Sequence, residues 1–439
     1  MIVFSSRTVI REKEAALKFP ITIHSSKRYL INAQGQPFLP VVESAWSCAS
    51  MLTTAQVDAY VQNRAAKGFT GMHMMCPVFS QTNNTPAYAN VYGQNPFTDN
   101  NDFSTYNNTF FNHVEYVVRK CRDSGLQVYL FPGYLGYLGN GTEGWATQIN
   151  HASNTASKLA AFGRMLSNRL ATYKNVVLVL GGDYGDATTI AKQFNIVRGW
   201  REIDPTVLIS AHGGRSSNAY TVLTSQLTEI GDYFLNGIYT NDYEEYSAAA
   251  TEYGRAGPIP CIDMDHQYEG WAGHTADYTM LGQHVSMLSG MRGFMFGNVP
   301  VCEFGAGFYG SAIGAASTLS GQLESAGALR TQYAATLYRS YAWHLLEPKT
   351  DASLVTTALG TGSGRIAPAL ASDGSFAMIW TPNVNVTVAM TALTPSSVRC
   401  RWWNPVDGSY STDGASPLAN TGTHAFTAPG TRILLLDAA

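Results

Sequence analysis

The run VVLVLGGD, Val176 to Asp183, sets five apolar residues ahead of two glycines and an acid. Consecutive Val and Leu without polar alternation fit a strand covered on both faces, the condition of a parallel sheet clothed by helices. The acid stands at the strand's carboxyl end, the rim where barrel enzymes carry their chemistry.

Working outward, the same unit recurs. Apolar runs at Phe38 to Ala45, Thr70 to Pro77, Leu126 to Phe131, Val207 to Ala211, Tyr233 to Tyr239, Ile259 to Met264 and Gly293 to Gly297 alternate with helix-sized segments. Thr53 or Thr54 is a plausible cap for a helix to about Lys67, ended by Gly68. A second helix, about Asn107 to Ser124, ends at Gly125, and a third covers Thr155 to Tyr173. Eight strands, each with its helix, predict a (β/α)8 TIM barrel over residues 28–347 rather than an open sheet. Residues 1–27 read as an arm or added strands.

From about Pro348 the pattern changes. Short alternating runs at Ile366 to Leu370, Phe376 to Trp380, Val384 to Met390, Val398 to Trp403 and Ile433 to Leu436 are separated by turn clusters such as SDGS and VDGS. This predicts a small antiparallel β-sandwich over residues 348–439.

Composition narrows the ligand. Of 439 residues, 13% are charged and 12% aromatic, with 24 Tyr and 8 Trp. Rings that stack on sugar C–H faces, among few charges, suit neutral polar ligands such as glycans. The net charge of −3 with no basic block argues against nucleic acid. No apolar run reaches the ~20 residues that span a bilayer. Arg7, Arg11, Glu12, Lys13, Glu14 and Lys18 break any apolar core of a secretory signal, so the expectation is a chain that stays inside or leaves by another route, unless it is a truncated form. The six cysteines show no CxxC spacing and read as buried free thiols. No GxGxxG or GxxxxGK[ST] follows any strand, and no HxH or HExxH occurs, so neither a nucleotide cofactor nor a metal is expected.

Polar groups at the strand ends supply candidate chemistry. Strand one ends at Glu43, Ser44 and Trp46; strand two carries His73; strand four ends in Asp183. Strand five ends at His212, strand six at Tyr239, and strand eight at Asn298. Strand seven carries Asp263, Asp265 and His266, with Tyr268 and Glu269 just after. Glycoside hydrolysis needs two carboxylates, one to protonate the leaving oxygen and one to attack or to activate water. Strands four and seven face each other across a barrel mouth. Asp183, with Asp265 or Glu269, therefore forms the candidate catalytic pair. Glu43, Trp46, His73, His212, Tyr239 and Asn298 are candidate sugar ligands, although Glu43 also suits a structural hydrogen bond.

These residues resemble the apiosidase-like glycoside hydrolases, glycoside hydrolase family 140 and its wider relatives. The similarity runs through RYLINAQGQPFLPVVESAW, LTTAQVDAYVQNRAAKGFTGMHM, KNVVLVLGGD, VLISAHGG and PIPCIDMDHQYEG to RCRWWNPVDGSYS and LLLD near the end. The last two resemble the collagen-binding-type β-sandwich that follows the barrel in that family. The resemblance implies a retaining glycosidase acting on plant or microbial polysaccharide, with Asp183 as general acid/base. Its nucleophile is a Glu of the seventh-strand motif, where this chain has Asp265. Glu43 and Ser44 likewise stand where the family has Asp and Thr. Asp265 as nucleophile, Glu269 in its place, and altered chemistry all remain open. The rival class is a non-catalytic carbohydrate-binding or adhesion protein on a barrel scaffold. A lyase on the same face is a third reading.

Overall fold

The computed structural model describes residues 18–77, 89–139, 144–304 and 319–439. Most of the expected N-terminal arm lies outside them.

Eight parallel strands form in the expected order. They are β1 (Val41–Ser44), β2 (Gly71–Cys76), β3 (Gln127–Pro132), β4 (Val176–Gly181), β5 (Leu208–His212), β6 (Asn236–Tyr239), β7 (Cys261–Asp265) and β8 (Phe294–Phe296). Continuous ladders join β8-β1-β2-β3-β4-β5 into one curled sheet and β6 to β7 in a second. Isolated backbone contacts span the gaps, and at the β7–β8 gap they include Arg292 N donating to Cys261 O at 2.7 Å. Leu235 N donates to Ile209 O at 2.9 Å, and Asp263 N donates to Gly293 O at 3.1 Å. The sheet is thus a TIM-like curl whose ladder is interrupted at two seams.

Local chemistry explains the helices between the strands. Helix α1 (Thr54–Ala66) starts in a capping box of Thr53 and Gln56 and ends at Gly68, whose φ is 79°. Asn107, Thr155 and Asp186 cap α2 (Asn108–Asp123), α3 (Ala156–Leu170) and α4 (Ala187–Arg201). Further on lie α5 (Glu245–Tyr253), α6 (Ala276–Leu288) and α7 (Ala326–Arg339). Strand alternation divides the core. Val42, Tyr129, Val177, Val179, Leu208, Ile262 and Met295 fill the inside of the curl. Leu126, Val128, Leu178 and Ile209 pack outward among the helices with Val114, Phe162 and Trp200. Phe19, Ile21, Leu30 and Phe38 join the inner cluster. They come from a three-stranded antiparallel sheet, Thr22–Ile23, Leu30–Ile31 and Pro37–Phe38, and its flanks.

The C-terminal strands are antiparallel, as read, but the two layers are unequal. One sheet of seven strands centres on Ala377–Pro382, Thr431–Ala438 and Ser397–Trp403. The other is a ribbon of Val386–Ala389 and Thr423–Phe426. One face of the large sheet meets the ribbon through Ile379, Val388, Trp402 and Leu434. The other face, with Met378, Trp380, Trp403 and Leu435, packs on Met280, Leu288 and Tyr338 from α6 and α7. Burial on both sides explains why these strands are less amphipathic than a free sandwich would require. The strand Leu346–Pro348 pairs with Ala367–Ala371 and straddles the boundary expected at 347/348. All six cysteines are buried and free. Among the described residues, no helix is long and apolar enough to cross a membrane.

Candidate active site

At the end of β4 the chain makes a sharp elbow. Gly181, Gly182 and Asp183 all have positive φ, at 81°, 118° and 53°. A Cβ on Gly181 would sit 2.2 Å from His212 O, and one on Gly182 would sit 2.2 Å from the Tyr134 ring. Only glycine fits at either position, and the elbow turns Asp183 over the barrel mouth. Tyr134 Oη donates to Asp183 Oδ2 at 2.7 Å.

His212, fully buried at the end of β5, links this elbow to β7. Asp183 N donates to His212 Nδ1 at 3.0 Å, and His212 Nε2 lies 2.9 Å from Asp265 Oδ2. With Nδ1 accepting, Nε2 carries the proton that is shared with Asp265. Burial lowers the His212 pKa, but the hydrogen bond to Asp265 and the charges of Asp183 and Asp265 bring the net shift upward. A second proton on Nδ1 would face the Asp183 N–H, so the neutral ring is the form this contact accepts.

Asp265 is the deeper acid, with a side chain 5% exposed against 28% for Asp183. Tyr268 Oη donates to its Oδ2 at 3.1 Å and in turn accepts from Trp46 Nε1 at 2.9 Å and Ser44 Oγ at 3.1 Å. Burial raises the Asp265 pKa, opposed by the hydrogen bond from His212. Ligand-capable atoms of Asp183, His212 and Asp265 all lie within 4.8 Å of one another. Oδ1 of each carboxylate makes no hydrogen bond among the described residues. The same three groups are close enough together for a metal ion, but His212 Nε2 and Asp265 Oδ2 are spent on each other.

The walls are aromatic. Trp46 packs on His73, Phe131, Tyr134 and His212, with ring centroids 4.7–5.7 Å away. Tyr239 lies 4.6 Å from His212, and its Oη accepts from Arg215 at 3.2 Å. His73 is fully buried beneath Trp46, and neither ring nitrogen has a hydrogen-bond partner among the described residues. Burial and the nearby His212 hold it well below the usual histidine pKa, so it is a neutral floor residue.

Three sequence candidates stand elsewhere. Glu43 points outward from β1 and is fully buried. Its carboxylate accepts from Arg64 Nε at 2.6 Å, Arg64 Nη2 at 2.5 Å and Tyr60 Oη at 2.5 Å, all from α1. It pins a helix to a strand and offers nothing to a sugar, which corrects its place on the subsite wall. Glu269 accepts from Ser325 Oγ at 2.7 Å and Gly327 N at 3.1 Å, at the start of α7. Asn298 donates to the same carboxylate at 3.1 Å. Glu269 is therefore occupied at the start of α7, while the buried Oδ1 of Asn298 makes no hydrogen bond among the described residues.

Tyr134, just past the end of β3, is a site residue that is not among the sequence candidates. The signal was present, since FPGY places a tyrosine just past that strand. Ser44 and Tyr268 were visible at strand ends, but their convergence on Asp265 was not.

A family model described as "Apiosidase-like, catalytic domain" matches residues 24–344. The chain belongs to the apiosidase-like family. Its barrel is a glycosidase-type catalytic domain. A second model, "Putative collagen-binding domain of a collagenase", matches residues 350–437. Among solved structures, one described as a glycoside hydrolase is 17% identical with a TM-score of 0.78, over 96% of this chain and 97% of that one. A glycoside hydrolase family 5 structure from Bacteroides vulgatus ATCC 8482 is 16% identical with a TM-score of 0.80, over 96% and 94%. At such identities the likeness speaks for fold. No curated protein matches the chain.

Proposed function

We propose that this apiosidase-like enzyme hydrolyses a glycosidic bond of a plant or microbial polysaccharide by a retaining, two-carboxylate mechanism. The observation that carries the reading is the Asp183–His212–Asp265 constellation, whose carboxylates approach within 4.8 Å across the mouth. Retaining enzymes place theirs about 5–5.5 Å apart and inverting ones about 6.5–9.5 Å apart. The shorter Asp265 side chain is thus no obstacle to a retaining gap.

Asp265 is the nucleophile in this scheme. Two donors, His212 Nε2 and Tyr268 Oη, hold Oδ2 as an anion and leave Oδ1 to attack the anomeric carbon. Asp183 is the general acid/base. Its partial exposure lets it exchange its proton with water between the two steps. Trp46 and Tyr239 give the sugar its apolar walls. The capped Glu269 is the weaker candidate for the second carboxylate. A closed barrel belongs to the same reading, supported by the isolated backbone hydrogen bonds across both seams. So does a division into a barrel at 28–347 and a bracing sandwich at 348–439.

The test is a glycan hydrolysis screen with the parent, Asp183→Asn and Asp265→Asn. The expected result is loss of about 10²–10⁴ in kcat for Asp183→Asn, with product anomers of unchanged configuration for the parent. If both variants cleave a parent substrate at full rate, the assignment is wrong. Tight glycan binding without product over long incubation would favour the adhesion reading instead, and a product lighter by one water would favour a lyase.

A further inference from the structure

Behind Asp265 lies a second set of ionisable groups that the scheme above does not use. His266 follows Asp265 directly and is 3% exposed. Its Nδ1 is 2.7 Å from Asp263 Oδ2, on the same strand and fully buried. Its Nε2 has no hydrogen-bond partner among the described residues, and neither has either carboxylate oxygen of Glu245. Both groups line the same spot on α6. A Cβ on Gly282 would lie 3.4 Å from Glu245 Oε1 and 3.6 Å from His266 Nε2. A buried ring is therefore gripped by one carboxylate and stands beside a second carboxyl group, one residue from the proposed nucleophile.

We propose that His266 is a positioning residue for the hydrolysis, held as an imidazolium by Asp263 so that its charge keeps the neighbouring Asp265 ionised in a water-poor barrel. The inference rests on the reading of Asp265 as nucleophile.

Electrostatics agree with the geometry. Burial alone would neutralise His266, yet Asp263 first, then Glu245 and Asp265, bring its pKa up. Burial drives Asp265 toward its protonated form; His212 opposes this most, and His266 adds to the opposition. The other groups around the cluster are Asp242, which acts on Glu245, and Tyr278 on α6, which feels Glu245 and Asp242. His274 lies 3.8 Å from Asp242 and stacks on Tyr278, while His266 is the basic group paired with Asp263. His212 cannot take over, because its Nδ1 already accepts the Asp183 N–H. Its hold on Asp265 is first of all the hydrogen bond, and His266 adds positive charge from the next residue.

The test reads Asp265 directly and needs no known substrate. The full chain is labelled with 13C at the aspartate carboxyls, and the Asp265 signal is assigned by its loss in Asp265→Asn. His266→Gln is then titrated beside the parent. The expected result is an Asp265 midpoint about one pH unit higher in the variant. A midpoint unchanged within a few tenths of a unit would overturn the proposal. If His266→Gln fails to fold because Asp263 is left buried and unpaired, Asp263→Asn/His266→Gln replaces the ion pair with two amides and carries the same prediction. Hydrolysis separates the two layers of the reading. On any glycan that the parent cleaves, the acidic limb of kcat/KM moves up with the carboxyl midpoint while KM stays put. A merely structural role predicts a uniform loss with no movement of the limb. If Asp265→Asn keeps full activity, the nucleophile assignment fails whatever His266 does. If Asp265→Asn is inactive and the midpoint does not move, only the role of His266 fails.

Discussion

Glu245→Gln isolates the free energy of one buried carboxylate. Glu245 is 1% exposed on α5. Burial pushes its pKa from 4.5 to about 7, against the opposing charge of His266. The folded chain thus keeps a proton that the unfolded chain has already released. A raised folded pKa means a contribution that is fully present below about pH 4.5 and lost as the pH rises through about 7. At about 1.36 kcal/mol per unit, the gap between 4.5 and about 7 is worth about 3 kcal/mol by pH 9. Glutamine has nearly the same shape and no charge, so the variant escapes this loss. Parent and variant should be nearly equal in stability at pH 4.5, and the variant more stable by about 3 kcal/mol at pH 9. With an unfolding entropy of about 2.1 cal/mol/K per residue over 439 residues, the difference is a Tm about 3 °C higher at pH 9. Calorimetry or urea unfolding at the two pH values measures it. A variant that gains nothing at pH 9 relative to pH 4.5 would refute the reasoning, since Glu245 would then be ionised and compensated in the folded state throughout.

Other substitutions probe the site's supports. Glu43→Gln leaves Arg64 buried without its counter-ion and should lower unfolding stability by about 3–5 kcal/mol, while kcat of the folded enzyme holds; a stability change under 1 kcal/mol would sink this. Glu269→Gln weakens the cap of α7 and should lower stability by about 1–2 kcal/mol. A hundredfold fall in kcat at unchanged stability would instead make Glu269 the second carboxylate. Gly182→Ala drives a Cβ into the Tyr134 ring at a φ of 118°. It should lower stability by about 1–3 kcal/mol and cut kcat by displacing Asp183, and full activity would show that the elbow adapts.

The sequence by itself determined the architecture. Unalternating apolar runs placed all eight parallel strands, because a strand buried on both faces has no polar side to show. Thr53, Asn107 and Thr155 placed helix starts, because capping is settled within a few residues. The GGD elbow also marked Asp183, since two glycines before an acid at a strand end are a local signal. What only the tertiary structure decided is which acid keeps company with which base. Glu43 and Arg64 are 21 residues apart, Ser325 and Glu269 are 56, and His212 and Asp265 are 53. A carboxylate on a β strand end is chemically the same residue whether it faces the mouth or a helix. The direction of its side chain, and the donors that distant segments bring to it, separate Asp265, tied to His212 and Tyr268, from the braced Glu43 and Glu269.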